Sequence, residues 1–403
     1  MNEIPSLASD TDPIVFQHVR VKRRKRPSIP WLVLIPFFCI VAGWALYVFA
    51  MPILEDRIKA QSQSRMVRTS VELSSPTREL FRTCQFLAVC WFFYFGASIG
   101  SFFNVLAARL PAGRGVVFGG SKCPYCNSNL SKFANTPIFG WLWCRGKCLT
   151  CRLPISVKYL WIELIFGLLF TVLAARELFS GGVNLPNWKV YSYAGIINIV
   201  FYPKWELIGA YLHHAFYLAS LLMLAISCWE RNPFPWRAWM TIVFSIVLIR
   251  FVRIDFEFVR WFEWMPGITK VPLGLQSSGL TILFGALAGS ALGFFSQYFL
   301  PSSTRSVVQV EADMVEAEMP AHPNQRVANT QWVQGCLLVG CVIGWQSVVM
   351  VIPVAFCVVW LWKWFSGTKS PHASVASLAS LFLVAFLHLM AWRQIVSMIG
   401  IAS

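Results

Sequence analysis

Charge is what this sequence has least of. Only 13% of its 403 residues are Asp, Glu, Lys or Arg, while 57% are hydrophobic. That balance is too apolar for an ordinary soluble chain of this length. Acids are the scarcer sign, with 18 Asp and Glu against 34 Lys and Arg and a formal net charge of +16. The surplus would suit nucleic acid, but the cations flank apolar runs, as the cytoplasmic loops of membrane proteins do. Nucleic-acid binding is therefore not expected. A cleavable signal peptide is not expected either. A polar tail of roughly thirty residues precedes the first apolar run, with no small-residue cleavage site behind it. No Gly-rich nucleotide loop is visible. A disulfide framework is also missing. Seven of the 12 Cys (Cys39, Cys84, Cys90, Cys228, Cys336, Cys341 and Cys357) lie in or beside apolar runs, where Cys behaves as a small hydrophobe.

Long apolar runs are what the sequence does have. A transmembrane helix needs about 20 mainly apolar residues. Runs that fit are Ile29–Leu54, Thr83–Ala108, Tyr159–Ala175, Leu207–Trp229, Trp236–Val252 and a stretch within Gly279–Leu300. The uncharged segment Val327–Trp362 is too long for one span and is expected to fold as two, reversing near Gly344–Gln346. A last run covers His372–Trp392. The fold class expected is an all-α polytopic membrane protein of about nine transmembrane helices, because lipid cannot satisfy an open backbone. Nine spans put the termini on opposite sides, and the basic stretch Arg20–Arg26 places the N-terminus inside. The expected organisation is a basic cytoplasmic tail (1–28), a first helix (29–54), a domain at 83–175 with a soluble loop at 109–158, and membrane regions at 205–300 and 327–395. The acidic loop 301–331 reads as mobile and solvated.

The loop 109–158 carries Cys123-x-x-Cys126 and Cys148-x-x-Cys151, with 21 residues between Cys126 and Cys148. Two such knuckles supply four thiolates to one tetrahedral zinc, as in a zinc ribbon. The competing readings are coincidence or two disulfides, and a cytoplasmic loop disfavours the latter. Four thiolates close the coordination shell, so the zinc expected here is structural and staples a loop too small to build a core. Cys144 is left over, with three residues rather than two between it and Cys148.

Around this loop stand Gly100-Ser-Phe-Phe-Asn104-Val, Arg109-Leu-Pro111, Cys123-Pro-Tyr-Cys126, Asn135-Thr-Pro137 and Gly140-Trp141-Leu. Arg145-Gly146-Lys-Cys148, Cys151, Pro154-Ile-Ser156 and Tyr159-Leu-Trp-Ile-Glu163 follow. In that order and spacing the chain resembles the N-terminal half of the type IV prepilin peptidases. The resemblance implies a bacterial inner-membrane protein with the four-cysteine loop in the cytoplasm. The family's first span matches Thr83–Ala108, so Ile29–Leu54 is an addition. The resemblance also implies prepilin or pseudopilin substrates, leader cleavage by two aspartates that activate a water, and N-methylation with S-adenosylmethionine. Arg145, Gly146 and Glu163 are the positions it associates with methyl transfer.

The family's aspartates sit in an Ile-Asp pattern followed by Pro-Asp, and in Gly-x-Gly-Asp. Neither pattern occurs here. The positions that align are Cys228 and Trp332, and a thiol and an indole cannot share a proton as a carboxylate dyad does. Glu230, Asp313 and Glu316 are the acids that could stand in. The expectation is a prepilin-peptidase-like protein without aspartic peptidase activity that keeps N-methyltransferase or substrate-binding function. The alternatives are an active peptidase using displaced carboxylates, or a non-enzymatic assembly protein of a pilus or secretion system.

Other polar residues carry simpler expectations. His213 and His214 are mid-span and expected to pack with hydrogen bonds. Glu163 is weighed between a functional role and a salt bridge to Arg109 or Arg152. Arg250 is expected to snorkel to an interface. Asp255, Glu257 and Glu263 are expected to face the outside.

Overall fold

The computed structural model describes residues 31–54, 75–111, 113, 115–116, 121–123, 125–126, 128–186, 188, 199–230, 233–252, 275–300, 323–366 and 373–398. Among them the regular structure is helical, apart from two isolated β-bridges in the cysteine loop. The helices are α1 (Trp31–Ala45, continued by a π turn at Leu46–Ala50), α2 (Ser75–Arg109), the short α3 (Phe139–Trp143) and α4 (Lys158–Ala174, continued by a π turn at Ala175–Phe179). Then come α5 (Trp205–Trp229), α6 (Trp236–Val252), α7 (Leu275–Ser296), α8 (Pro323–Ile343), α9 (Trp345–Ser366), α10 (Ala373–Met390) and α11 (Trp392–Met398). The stretch Arg20–Arg26, the acids Asp255, Glu257, Glu263, Asp313 and Glu316, and most of the loop 301–331 lie outside the described residues.

Among the described residues, four helical segments are long and apolar enough to cross a membrane: Pro76–Arg109, Trp205–Trp229, Gly279–Phe299 and Trp345–Phe365. The bent pair Val375–Met390 and Trp392–Met398 makes a fifth if it is one span, and Phe38–Leu54 and Val327–Ile343 are shorter apolar helices.

Two helix pairs form the frame, and both depend on small residues. Gly96 and Gly100 of α2 lie against Phe166 and Phe170 of α4, while Gly167 of α4 lies against Phe93. In α7, Gly285, Gly289 and Gly293 recur every fourth residue and meet the backbone of α8 at Gly340, Cys336 and Val333. This antiparallel contact brings backbone to backbone, the device by which helices associate in lipid, where apolar side chains gain little from meeting each other. A side chain at Gly289 would strike the Cys336 carbonyl. Gly289→Leu is therefore expected to lower the melting temperature, at the upper end of the roughly 1–3 kcal/mol typical of overpacking. Gly115→Ala, where no atom lies within 4 Å of an added Cβ, is expected to leave it unchanged.

The reversal expected near Gly344–Gln346 takes one residue. Gly344 stands at φ +83° between α8 and α9, a left-handed conformation in which a Cβ would be strained.

The ends of the bundle follow from contacts. Lys158, at the start of α4, pairs with Glu230 just after α5 at 2.6 Å, so α5 returns to the end that carries the cysteine loop. At the far end, Arg250 near the end of α6 is 5% exposed and donates to the carbonyl of Val342 in α8. It is therefore buried rather than snorkelled: α6 packs against α8, and the guanidinium finds a carbonyl of the α8 last turn instead of water. The 74° bend between α10 and α11 has a similar cause. Asn184 takes the carbonyl of Leu389 at 3.0 Å and Arg176 that of Met390 at 3.0 Å. Those carbonyls would otherwise have continued the helical ladder.

Candidate metal centre and the aligned catalytic positions

The cysteine loop builds two knuckles of the same design. In the first, the Cys123 N–H donates to Ser128 O (3.0 Å) and a bridge joins Lys122 to Asn129. In the second, the Cys148 N–H donates to Leu153 O (2.9 Å) and a bridge joins Lys147 to Pro154. Ser128 Oγ donates to Thr150 Oγ1 across the two knuckles at 3.2 Å. The result is convergence. Cys123 Sγ lies 3.8 Å from Cys151 Sγ, Cys126 Sγ lies 3.9 Å from Cys148 Sγ, and all four sulfurs fall within 4.8 Å of one another. Four Zn–S bonds of about 2.3 Å in a tetrahedron require sulfurs roughly 3.8 Å apart, so the set fits a metal such as zinc.

The thiols also divide their proton affinities. Burial opposes ionisation of Cys148, but the N–H groups of Cys151 and Thr150 and the neighbouring thiols overcome it and bring it down to about 6. The Leu153 N–H favours the Cys151 thiolate, yet burial and the other three thiols push it up to about 11. Ser128 draws Cys126 downward. Cys144 stands outside this group. Burial, reinforced by Cys148 and opposed by Arg152, raises its thiol.

Two unusual backbone positions shape the module, and the first of them locks it to a membrane helix. Ile138 has φ +62° and ψ −59°, and the Phe139 N–H closes on Pro137 O at 2.6 Å. This is the strained γ-turn, held here on a β-branched residue. What holds it is Glu163 of α4, whose Oε2 accepts the Ile138 N–H at 2.6 Å and which Ser101 of α2 also bonds. The carboxylate thus serves a turn of the module, not the salt bridge to Arg109 or Arg152 weighed from the sequence. Gly146 sits at φ +63°, and a Cβ there would lie 2.6 Å from the Trp141 ring. The Trp141 indole in turn donates to Ile155 O at 3.2 Å. Arg145, at φ +52°, is exposed beside it. The module's own architecture therefore accounts for Gly146 and Glu163.

Cys228 is the penultimate residue of α5, and Trp332 lies in α8. Both are buried in one apolar core. Trp332 stands nine residues into α8, because that helix begins at Pro323, ahead of its apolar run. Its indole donates to Oγ of Ser296, the last residue of α7, at 2.9 Å. That contact sets its depth at the module end of the bundle, where Cys228 also lies. No aspartate occurs among the described residues. The Glu230 carboxylate is engaged by Lys158.

A cluster at the far end is marked in the sequence by the adjacent histidines alone, with nothing to name their partner. His214 Nδ1 and Glu177 Oε1 lie 2.7 Å apart, both fully buried, and Asn184 Nδ2 reaches the same oxygen at 3.4 Å. The polar pair of histidines mid-helix is the signal that could have pointed here; the adjacent His213 is buried beside it.

These features define a multi-pass helical membrane protein with a four-thiol module between two tightly packed helices. Residues 94–177 match the bacterial peptidase A24 N-terminal domain. A prepilin leader peptidase/N-methyltransferase of Myxococcus xanthus is 42% identical over 84 residues, 21% of this chain and 25% of the relative. One from Klebsiella pneumoniae is 37% identical over 106 residues, 25% of this chain and 46% of the relative. One from Bacillus subtilis is 25% identical over 204 residues, 49% of this chain and 81% of the relative. Residues 94–177 therefore carry a bacterial peptidase A24 N-terminal domain, and the relatives similar over that region are prepilin leader peptidase/N-methyltransferases. It spans less than half the length of the first relatives it matches, and no solved structure matches it.

Proposed function

We propose that this protein handles prepilin or pseudopilin substrates at the cytoplasmic face of the bacterial inner membrane without aspartic peptidase activity. In this reading it keeps N-methyl transfer or substrate binding. It crosses the bilayer nine times, with the cysteine module inside, and zinc staples the module. The observation that carries the reading is the pairing of an A24 N-terminal domain with Cys228 and Trp332, both buried, at the positions aligned with the family's dyad.

Two carboxylates sharing a proton provide a base and an acid side by side. A thiol in an apolar core and an indole with no titratable proton provide neither. Glu230 does not substitute readily, because its oxygen is already bonded to the Lys158 ammonium at 2.6 Å. A carboxylate held as an ion pair is a poor partner for proton sharing. Zinc, once bound, supplies rigidity to the module and no open coordination position for chemistry. Methyl transfer from S-adenosylmethionine rests on the resemblance to the family.

The test incubates detergent-purified protein with a prepilin-type substrate, and separately gives it an already cut pilin N-terminus with labelled S-adenosylmethionine. No leader release is expected, and label is expected on the cut substrate. Leader release that disappears in Glu230→Gln would show that the acids have moved, and the reading would be wrong. Substrate capture without label would narrow the function to binding.

A further inference from the structure

The module has a charge pattern that metal binding does not explain. From Arg109 to Lys158 the chain carries eight Lys or Arg and no Asp or Glu. Five of these cations (Lys122, Lys132, Arg145, Lys147 and Arg152) are exposed, and none meets a carboxylate among the described residues. The two knuckles even repeat the feature, since Lys122 and Lys147 occupy the same place one residue before the first Cys of each pair. A zinc tetrathiolate carries two net negative charges, too few to offset the surplus. Apolar side chains are exposed among the same cations: Phe133 at 76%, Tyr125 at 61%, Val157 at 48% and Leu153 at 44%. Unpaired cations interleaved with exposed aromatic and aliphatic groups suit the boundary of a charged bilayer, where head groups take the charge and acyl carbons the apolar parts.

Position selects the partner. The module is tied at both ends to helices, α2 and α4, whose ends lie at the membrane face in the topology proposed above, and Glu163 locks it to α4 through the Ile138 turn. It is therefore held next to lipid at all times, and the binding step is effectively intramolecular. We propose that the cysteine module docks on the anionic lipid head groups of its own membrane leaflet through Lys122, Lys132, Arg145, Lys147 and Arg152, with Phe133 and Tyr125 at the apolar boundary. The proposal uses the sidedness of the preceding section but not its chemistry: neither peptidase nor methyltransferase activity enters the readout.

The full-length protein is placed in nanodiscs of phosphatidylcholine alone or of phosphatidylcholine with phosphatidylglycerol. Amide hydrogen exchange is then followed across 121–157. Phosphatidylglycerol is expected to slow exchange in the module several-fold. The slowing is expected to vanish in about 0.5 M NaCl, where the Debye length falls to about 4 Å, and in a variant with all five cations changed to Gln that still holds zinc. If that variant loses its zinc, the wild-type comparison between the two lipids and two salt concentrations decides alone. Equal exchange in both lipids would overturn the proposal. So would equal slowing in phosphatidylcholine discs on adding inorganic phosphate or a short oligonucleotide, which would identify a site for free anions or nucleic acid.

Discussion

Protein with Cys148→Ser is expected to purify without zinc and with a disordered module, whereas Cys144→Ser keeps its metal. Cys148 stands at the centre of the cluster. Its sulfur approaches Cys126 at 3.9 Å, accepts the Thr150 N–H at 3.4 Å, and has the thiol brought down to about 6. Replacing that thiolate by a hydroxyl leaves three ligands and a weak neutral fourth. Structural zinc contributes an apparent 10–16 kcal/mol to small domains of this kind, more than any single packing contact can replace. Among the described residues the knuckle backbone is joined through isolated bridges and a few turns. Cys144 lies outside the sulfur cluster, and its change removes only a small buried thiol. Elemental analysis of the two purified variants decides the matter. Equal zinc loss from both would mean that the ligand set is wrong.

Removing one member of the Glu177–His214 pair is expected to cost about 1–3 kcal/mol, the penalty for leaving a buried polar group without its hydrogen-bond partner. Both side chains are essentially inaccessible, and Glu177 Oε1 also receives Asn184. With His214→Leu the carboxylate keeps one long amide contact in place of its short imidazole bond. The double change Glu177→Leu with His214→Leu is expected to recover part of the loss, because neither member is then left facing a missing partner, while Asn184 Nδ2 gives up its long contact and keeps the Leu389 carbonyl. Thermal melting of the wild type, both single variants and the double variant in detergent gives the coupling energy directly. Additive losses would mean that the pair is not coupled.

How far the sequence reveals this structure depends on whether a feature is local. The two Cys-x-x-Cys pairs declare their convergence because the knuckle and the metal fix spacing within each pair. The helices are equally legible, since apolar runs of sufficient length leave a chain few other options in lipid. Even the reversal at Gly344 has a local signal. What is hidden lies between distant segments. Glu177 and His214 are 37 residues apart, on different helices, and neither has a motif. Arg250 reads as an interfacial cation because its carbonyl partner on α8 is 92 residues away. The γ-turn at Ile138 is concealed for another reason. A β-branched residue argues against positive φ, and only the buried Glu163 carboxylate makes the position tenable. Trp332 is deceptive in its own way: α8 starts with Pro323 and a polar first turn, so the apolar run understates the helix.

The single-residue joint at Gly344 bears on how the chain reaches the bilayer during synthesis. Residues 345–365 have a mean hydropathy of 2.1 over their best window and partition readily, whereas 327–343 falls short of a full span. Gln331 and Gln334 lie within that weaker stretch. With no loop between them, the weaker helix cannot wait in water while its neighbour crosses. In the nine-span topology proposed above, the favourable transfer of α9 is expected to carry α8 with it, so that the two insert as one hairpin.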